Sequence, residues 1–269
     1  MTENSQLLAP QRRALILERV RQYGGVRVNE LTREFGVSDM TVRRDLDALA
    51  GQGLVDKVHG GAVSAEQTRI LEPGFEAKLA WELAAKEAIA AAAADLVRPG
   101  AVVALGAGTT TYAVAKALVK VERLTIVTNS IRIAEVFEQV GDHQRTPPTV
   151  MLTGGIRTPS DALVGPLADQ AIRALHVDIL FLGCHGLTAE AGLTSPNLGE
   201  AATNRAFVRS AAQVVAVVDH TKWNVVGLST FATLDELDYL ITDREVPESE
   251  AAADRVGRVV VAEGNRRVP

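Results

Sequence analysis

The chain has 269 residues, a formal net charge of −5 and 47% hydrophobic residues, as expected for a globular protein large enough for two domains. No apolar run approaches the ~20 residues of a membrane-spanning helix, so we expect no membrane partner. The charge is uneven, +1 over residues 1–63 and −6 over the remainder, which leaves room for a local basic surface that binds nucleic acid.

Cysteine and histidine usage narrows the class further. Cys184 is the single cysteine, which excludes a disulfide framework within the chain, and the five histidines lack the spacing of metal ligands. The N-terminus has no basic segment followed by a long apolar one, which argues against a secretory signal. We therefore expect a cytoplasmic protein without metal or cofactor.

The first 54 residues read as three helices. Helical spacing predicts a helix over 11–23, then a short strand over 26–28 and a short helix over 28–36. In the stretch 37–54, Ser38 is a strong N-cap residue, and Val42, Leu46 and Leu49 form one apolar stripe. Two helices joined by a tight turn predict a helix-turn-helix unit, whose second helix enters the DNA major groove.

The polar side of the second helix carries the candidate DNA contacts. Arg43 and Arg44 match guanine edges and phosphates, and Thr41 offers a short hydroxyl beside the Ser38 cap. Asp45 is expected to orient an arginine, because phosphates repel a carboxylate. The alternative is a small helical hairpin whose arginine pair is merely solvated.

A hairpin is predicted over 54–63, around the turn His59-Gly60-Gly61. It would form a wing, from which Lys57 and His59 contact the DNA backbone. A solvated hairpin with one lysine has the same pattern, so both interpretations remain open.

These N-terminal motifs resemble a known family. The run Arg12-x3-Ile16-x3-Val20, followed by Ser38-x2-Thr41-Val42-Arg43-Arg44-Asp45-Leu46, resembles the winged helix-turn-helix of the DeoR family of bacterial transcriptional regulators. The resemblance implies a DNA-binding domain over 8–63. The polar stretch 64–74, ending in Pro-Gly, is interpreted as a linker, and 75–269 as a second domain.

The second domain has an alternating pattern. One long helix is predicted over 75–97, and helical stretches then separate the apolar runs 101–105, 124–128, 149–153, 177–183, 213–219, 238–243 and 258–262. Continuous β-branched runs between helices are typical of a parallel sheet covered on both faces. The fold class is therefore α/β, with a Rossmann-like domain after the N-terminal helices.

Polar motifs follow four of these runs, at 106–111, 128–130, 153–157 and 219–222. Because ligands of such sheets bind beyond the carboxyl ends of the strands, this pattern suits a phosphorylated polyol or sugar. Turn-forming and helix-capping roles are the alternative for each motif taken alone. A nicotinamide cofactor is disfavoured, since Thr111 replaces the third glycine and Asn129 the ribose-binding acid.

The same motifs extend the resemblance over the whole chain. GAGTTT, TNS, TGG, GLT and DHTKW look like the effector domain of DeoR regulators, whose fold is similar to ribose-5-phosphate isomerase and whose usual effectors are phosphorylated sugars. The resemblance implies an effector pocket formed by Gly108, Thr109, Thr110, Thr128, Asn129, Gly154, Gly155, Asp219 and Lys222. Two positions depart from the family pattern: Gly106, where an acid is common, and Asn204, where a lysine is common.

A sugar-phosphate isomerase with an added DNA-binding domain is the competing hypothesis. Isomerisation needs a carboxylate as general base, and the loop 183–186 contains none, although Glu200 and His185 remain as substitutes. We therefore expect no catalytic residues. The favoured function is a transcriptional regulator, most simply a repressor of a carbohydrate operon, that binds a double-stranded operator as a homodimer or higher homo-oligomer and responds to a phosphorylated sugar.

Overall fold

The structure is a computed structural model that describes residues 8–23, 25–52, 54–58, 60–64, 75–138, 147–245 and 254–262. The chain divides into two compact units, Met1–Pro73 and Gly74–Pro269. Among the described helices, none is long and apolar enough to cross a membrane. The predicted linker 64–74 falls outside these ranges except for Ser64.

The N-terminal unit contains three helices and a small sheet, in the order α1 (Ala9–Tyr23), β1 (Gly25–Arg27), α2 (Val28–Phe35), α3 (Asp39–Gly51), β2 (Val55–Val58) and β3 (Gly61–Ser64). The strands pair antiparallel in the order β1-β3-β2. The apolar stripe predicted for α3 is buried against Ile16 and Val20 of α1 and Leu31 of α2. The predicted helix-turn-helix with its hairpin is therefore confirmed.

The turn between α2 and α3 depends on Gly36. Its φ of +64° lies in the left-handed region that glycine adopts without strain, and its N–H donates to the Thr32 carbonyl at 3.1 Å. Two residues later Ser38 caps α3, since its side chain accepts a hydrogen bond from the Thr41 N–H at 3.3 Å. Two capped ends in close succession fix where α3 begins.

The second unit begins with α4 (Phe75–Leu79), α5 (Leu83–Ala94), β4 (Val102–Leu105), α6 (Thr109–Leu118), β5 (Thr125–Thr128), α7 (Ile131–Glu138) and β6 (Thr149–Leu152). It continues with β7 (Ile156–Arg157), β8 (Leu163–Val164), α8 (Pro166–Arg173), β9 (Ile179–Leu182), β10 (Gly186–Thr188), β11 (Gly192–Ser195) and α9 (Leu198–Ser210). The last strands are β12 (Val214–Val217), β13 (Ser229–Ala232), β14 (Tyr239–Thr242) and β15 (Arg258–Val261).

Seven of these strands form one parallel sheet in the order β15-β14-β12-β9-β4-β5-β6. They are the seven apolar runs of the sequence, so the predicted α/β class is confirmed. Alternate residues face opposite sides. Val103 packs on the side covered by α5, α6 and α7, whereas Ala104 packs on the side covered by α8 and α9. The strand order reverses between β4 and β9, which is where such sheets bind ligands.

One helix prediction was wrong. The continuous helix expected over 75–97 is two helices, separated at residues 80–82. Glu82 has a φ of +49°, in the left-handed region, which an unbroken helix does not allow. The second helix then begins at Leu83. Two smaller sheets, β7-β8 and β10-β11-β13, were also not predicted.

Candidate functional site

The outer side of α3 is where the structure places the predicted DNA contacts. Arg43 and Arg44 are exposed, Thr41 is half-buried, and Met40 is 61% exposed. Ser38, also predicted as a DNA contact, is exposed at the N-terminus of the helix and shares a hydrogen bond with the Thr41 hydroxyl at 2.9 Å. These five residues occupy the first two turns of α3, the part of a recognition helix that meets base edges.

Two acids of α3, Asp45 and Asp39, form different ion pairs. Asp45 is buried and accepts a hydrogen bond from Arg12 Nε at 2.5 Å, with Arg13 Nε 3.7 Å away. It therefore orients an arginine of α1, as expected. Asp39 is exposed and pairs with Arg43, and this hydrogen bond raises the pKa of the Arg43 guanidinium. Arg43 stays charged and is held near the N-terminus of the helix.

The wing gives less detail. Lys57 lies on β2 and pairs in register with Ala62 of β3, but its side chain is outside the described part of the chain. His59 falls between the described ranges 54–58 and 60–64. Their predicted contacts with the DNA backbone remain predictions.

In the second unit, the turn after β4 is built around close backbone packing. A Cβ atom on Gly106 would lie 2.4 Å from Leu182 Cδ2 of β9, so a side chain at this position meets the neighbouring strand. Gly108 precedes the first turn of α6, where Thr109 and Thr110 are buried and Thr111 Oγ1 donates to the Gly108 carbonyl at 3.0 Å. The first N–H groups of α6 lack intrahelical partners, and they lie beside the strand reversal.

Thr128, the last residue of β5, and Asn129, which follows it, form hydrogen bonds with the backbone of neighbouring segments. Thr128 is 0% exposed, and its hydroxyl donates to the Leu105 carbonyl at 2.7 Å. Asn129 is 1% exposed; its Oδ1 accepts from the Ala107 N–H at 2.9 Å, and its Nδ2 donates to the Leu163 carbonyl at 3.1 Å. These geometries give both residues a structural task at the rim of the site.

Gly154 and Gly155 follow the edge strand β6. Both have positive φ, +72° and +120°, and a Cβ atom on Gly155 would lie 2.6 Å from the Val164 carbonyl oxygen. Glycine is therefore needed to bring β7 and β8 back over the sheet. Four strand spacings of about 4.8 Å separate β6 from β12, so these glycines and Asp219 are roughly 19 Å apart along the sheet edge.

Asp219 and Lys222 lie after β12, two strands from β4. The Asp219 carboxylate is buried and accepts from the Thr221 N–H at 3.0 Å, which caps the single turn His220–Lys222. Lys222 is half-buried at the end of that turn. The sheet thus brings Thr109, Thr110, Asp219 and Lys222 to the same edge at the strand reversal.

Lys86 is the residue of this site that was not predicted. It lies on α5 and is 3% exposed, and its Nζ donates to the Lys78 carbonyl oxygen at 2.8 Å. Burial, together with the charges of Lys222 and Lys78, lowers the pKa of its ammonium to about 8, against the opposing effect of the Asp219 and Glu82 carboxylates. Asp219 and Lys222 therefore share one electrostatic environment with Lys86. A lysine in an alanine-rich helix reads as solvated, so the sequence carried no signal.

A second polar cluster surrounds Glu200 on the first turn of α9. Glu200 Oε1 accepts from the Thr158 hydroxyl at 2.8 Å and also from the Ser160 hydroxyl. Nearby, Asp161 binds Arg157 and Arg132, and these hydrogen bonds oppose its burial and lower its pKa. The loop between β7 and β8 carries these groups back to β5, because the Leu163 N–H donates to the Asn129 carbonyl at 2.7 Å.

The two units together define a class: a protein with a winged helix-turn-helix unit and a parallel α/β unit. Family models identify it further. The family model described as "DeoR-like helix-turn-helix domain" matches residues 12–68, and the one described as "DeoR C terminal sensor domain" matches residues 81–244. The chain belongs to the DeoR family of DNA-binding transcriptional regulators.

Curated relatives agree with this placement. The chain is 36% identical to the HTH-type transcriptional regulator GlpR of Haloferax volcanii, over 97% of this chain and 100% of that protein. It is 35% identical to the regulator GolR of Listeria innocua, over 88% and 91%. It is 32% identical to the glycerol-3-phosphate regulon repressor of Escherichia coli K12, over 89% and 92%.

The expected similarity to ribose-5-phosphate isomerase is also found. The enzyme of Methanocaldococcus jannaschii is similar with a TM-score of 0.37 and 19% sequence identity, over 51% of this chain and 53% of that chain. A likeness this low transfers no residue role and no ligand to this chain.

Proposed function

We propose that this regulator represses a carbohydrate operon by binding a two-fold symmetric operator through α3, and that a phosphorylated sugar metabolite controls this binding. The exposed arginines of α3 support the first part, because a guanidinium matches guanine and phosphate. The GlpR name and the glycerol-3-phosphate repressor, both similar to this chain, support the second. A protein that acts on chromosomal DNA works in the cytoplasm.

The observation that carries the effector proposal is the convergence at the strand reversal. The N-terminus of α6 with Thr109 and Thr110 supplies N–H and hydroxyl donors, and Lys222 and Lys86 supply positive charge. A phosphate monoester needs both kinds of group. Asp219 adds a carboxylate, which accepts hydrogen bonds from sugar hydroxyls.

Catalysis is not part of the proposal. In the loop after β9 the residues are Gly183, Cys184 and His185, without a carboxylate to act as general base. The carboxylate of Glu200 is already engaged by two hydroxyl groups. An assay for interconversion of aldose and ketose phosphates should show no turnover above the uncatalysed rate, and measurable turnover would overturn this part.

DNA recognition is tested on fragments selected from the genome by the purified protein. Fluorescence anisotropy with the selected operator should show that Arg43→Ala and Arg44→Ala each weaken binding by roughly 1–3 kcal/mol, which is about fivefold to 150-fold. Arg98→Ala removes the same charge from the exposed end of the loop after α5 and should bind as the wild type does. Equal losses in all three variants would reduce the effect to net charge.

Effector binding is tested by a thermal-shift screen of phosphorylated sugars against the same sugars without phosphate, since a ligand of the native state raises the melting temperature. Thr109→Ala and Lys222→Ala should abolish the shift, whereas Lys116→Ala should keep it, because Lys116 is exposed over the Tyr112 ring. The hit is then added to the operator assay. No hit across the panel, or unchanged operator affinity at saturation, would contradict a phosphosugar effector.

A further inference from the structure

Lys86 of α5 is almost fully buried, and within the described part of the chain it has no direct ion pair. Buried lysines are rare unless a charge pairs with them, and an ammonium has three N–H donors. Among the described residues its hydrogen-bond acceptor is a neutral one, the Lys78 carbonyl at the end of α4. The alanines of α5 beside it provide no polar group.

The charges that act on Lys86 are those of two lysines and two carboxylates. Lys78 and Glu82 act on it from the segment that precedes and begins α5, and Asp219 and Lys222 act on it from the end of β12. Helix α6 and strand β14 also pack on α5, and their titratable residues are Tyr112, Lys116 and Tyr239. Burial and the two neighbouring lysines disfavour the protonated form of Lys86, and a bound anion favours it.

We propose that the sensor site binds its anionic ligand together with a proton, which is held by the Lys86 ammonium. This inference rests on the proposed function, because the anion is the phosphate of the effector. It specifies that function further: the site favours a group with two negative charges, and the affinity of the regulator for its effector depends on pH.

The direction of the pH dependence follows from the pKa of Lys86, about 8 in the unliganded chain. A bound dianion raises this pKa. Below pH 7 Lys86 is already charged before the ligand binds, and no proton is taken up. Near pH 8, where half of the unliganded Lys86 is neutral, about half a proton is taken up per ligand bound. Above pH 8 most of the unliganded Lys86 is neutral, so binding requires the uptake of a proton and the affinity falls as the pH rises. Between pH 7 and 9 the expected loss of affinity is roughly tenfold.

The probe is inorganic sulfate, whose two charges are constant between pH 7 and 9, so that only the protein titrates. Calorimetric titrations of the full chain at pH 8, in buffers of different ionisation enthalpy, give the number of protons taken up. Lys86→Gln keeps an N–H donor for the Lys78 carbonyl but cannot carry the proton. It should bind sulfate weakly, with no uptake and no pH dependence.

Two further variants separate charge from packing. Lys86→Arg stays charged throughout this range, so its sulfate affinity should stay high and flat from pH 7 to 9. Lys116→Gln, at an exposed position of α6, should behave as the wild type does. A role of Lys86 in packing alone predicts similar behaviour of the Gln and Arg variants.

The outcomes are distinct. Sulfate bound by the wild type with the same affinity at pH 7 and 9 and without proton uptake would overturn the proton linkage and leave the proposed function intact. Absence of saturable sulfate binding would overturn the dianion site itself. If Lys86→Gln does not fold, the proton uptake of the wild type decides alone, with zero uptake against the proposal. Failure of the proposed function appears elsewhere, as an operator affinity that no phosphorylated sugar changes.

Discussion

The two units bury charge in different ways. In the DNA-binding unit, the buried carboxylate of Asp45 is paired directly with the buried guanidinium of Arg12, and the side chains predicted to read DNA lie outside on α3. In the sensor unit, the buried ammonium of Lys86 contacts a neutral carbonyl, and the predicted ligand groups are themselves mostly buried. A surface that binds a macromolecule has to be exposed, and the core beneath it has its buried charges paired. A small-molecule site, in contrast, contains buried polar groups whose partner is the ligand.

The largest effect is expected from breaking the buried ion pair between Asp45 and Arg12. Asp45→Ala removes the carboxylate that pairs with the buried Arg12 guanidinium, so the DNA-binding unit should lose about 3–5 kcal/mol of stability. Urea unfolding followed by circular dichroism should show the loss. Fluorescence should change little, because both tryptophans, Trp81 and Trp223, belong to the sensor unit.

The matched control for this change is Asp47→Ala, an exposed acid on the same helix, expected within about 0.5 kcal/mol of the wild type. A loss in Asp45→Ala no larger than in Asp47→Ala would mean that the Arg12 pair does not hold the unit together.

The backbone of the sensor site comes next. Gly155→Ala places a methyl group 2.6 Å from the Val164 carbonyl at a φ of +120°, and should cost about 3 kcal/mol. Gly154→Ala has a positive φ but open space around the new atom, so its cost should be about 1 kcal/mol. Tryptophan fluorescence in urea measures both. Equal costs would show that φ alone, and not the approach of β8, requires glycine there.

The buried ammonium of Lys86 predicts that the stability of the protein depends on pH. The pKa of Lys86 is lowered from 10.5 to about 8 by folding, so the unfolded chain binds more protons between these values and stability rises with pH. From pH 7.5 to 9.5 the wild type should gain roughly 2 kcal/mol relative to Lys86→Gln. Parallel urea curves of the two proteins at the two pH values test this, and a constant difference would place the pKa of Lys86 near its ordinary value.

The smallest expected effect concerns the start of α3. Ser38→Ala removes the side-chain oxygen that accepts from the Thr41 N–H and should destabilise the DNA-binding unit by about 1 kcal/mol. Because glycine is accepted at an N-cap position, Ser38→Gly should cost only about 0.3 kcal/mol. Circular dichroism in urea compares the two, and a Gly variant as unstable as the Ala variant would argue against a capping role.

Much of the fold was predictable because its signals are long and periodic. Seven runs of β-branched residues gave the seven strands of the parallel sheet, and the stripe of Val42, Leu46 and Leu49 gave the buried face of α3. The break at Glu82 was not predictable, since no glycine or proline marks it. The strands β7 and β8 are two residues long, which is too short for any pattern to register.

The candidate site was predictable in part, for a related reason. Residues such as Thr109 and Lys222 stand in motifs next to strand ends, where position alone indicates a role. Lys86 acquires its environment only when α5 packs against the end of β12. The sequence suggested an effector contact for Asn129, but it did not show that the amide also joins two loops. Contacts between distant segments are decided by tertiary packing, which a linear pattern does not report.

The amide of Asn129 has one more consequence, for engineering. By joining the turn after β4 to β8 through its two polar atoms, it makes the rim of the sensor a fixed scaffold. Libraries that aim to retune the regulator toward a new effector should keep this residue constant and vary the side chains of the loops that it connects. Such libraries would diversify chemical selectivity while the folded population of the starting protein is retained.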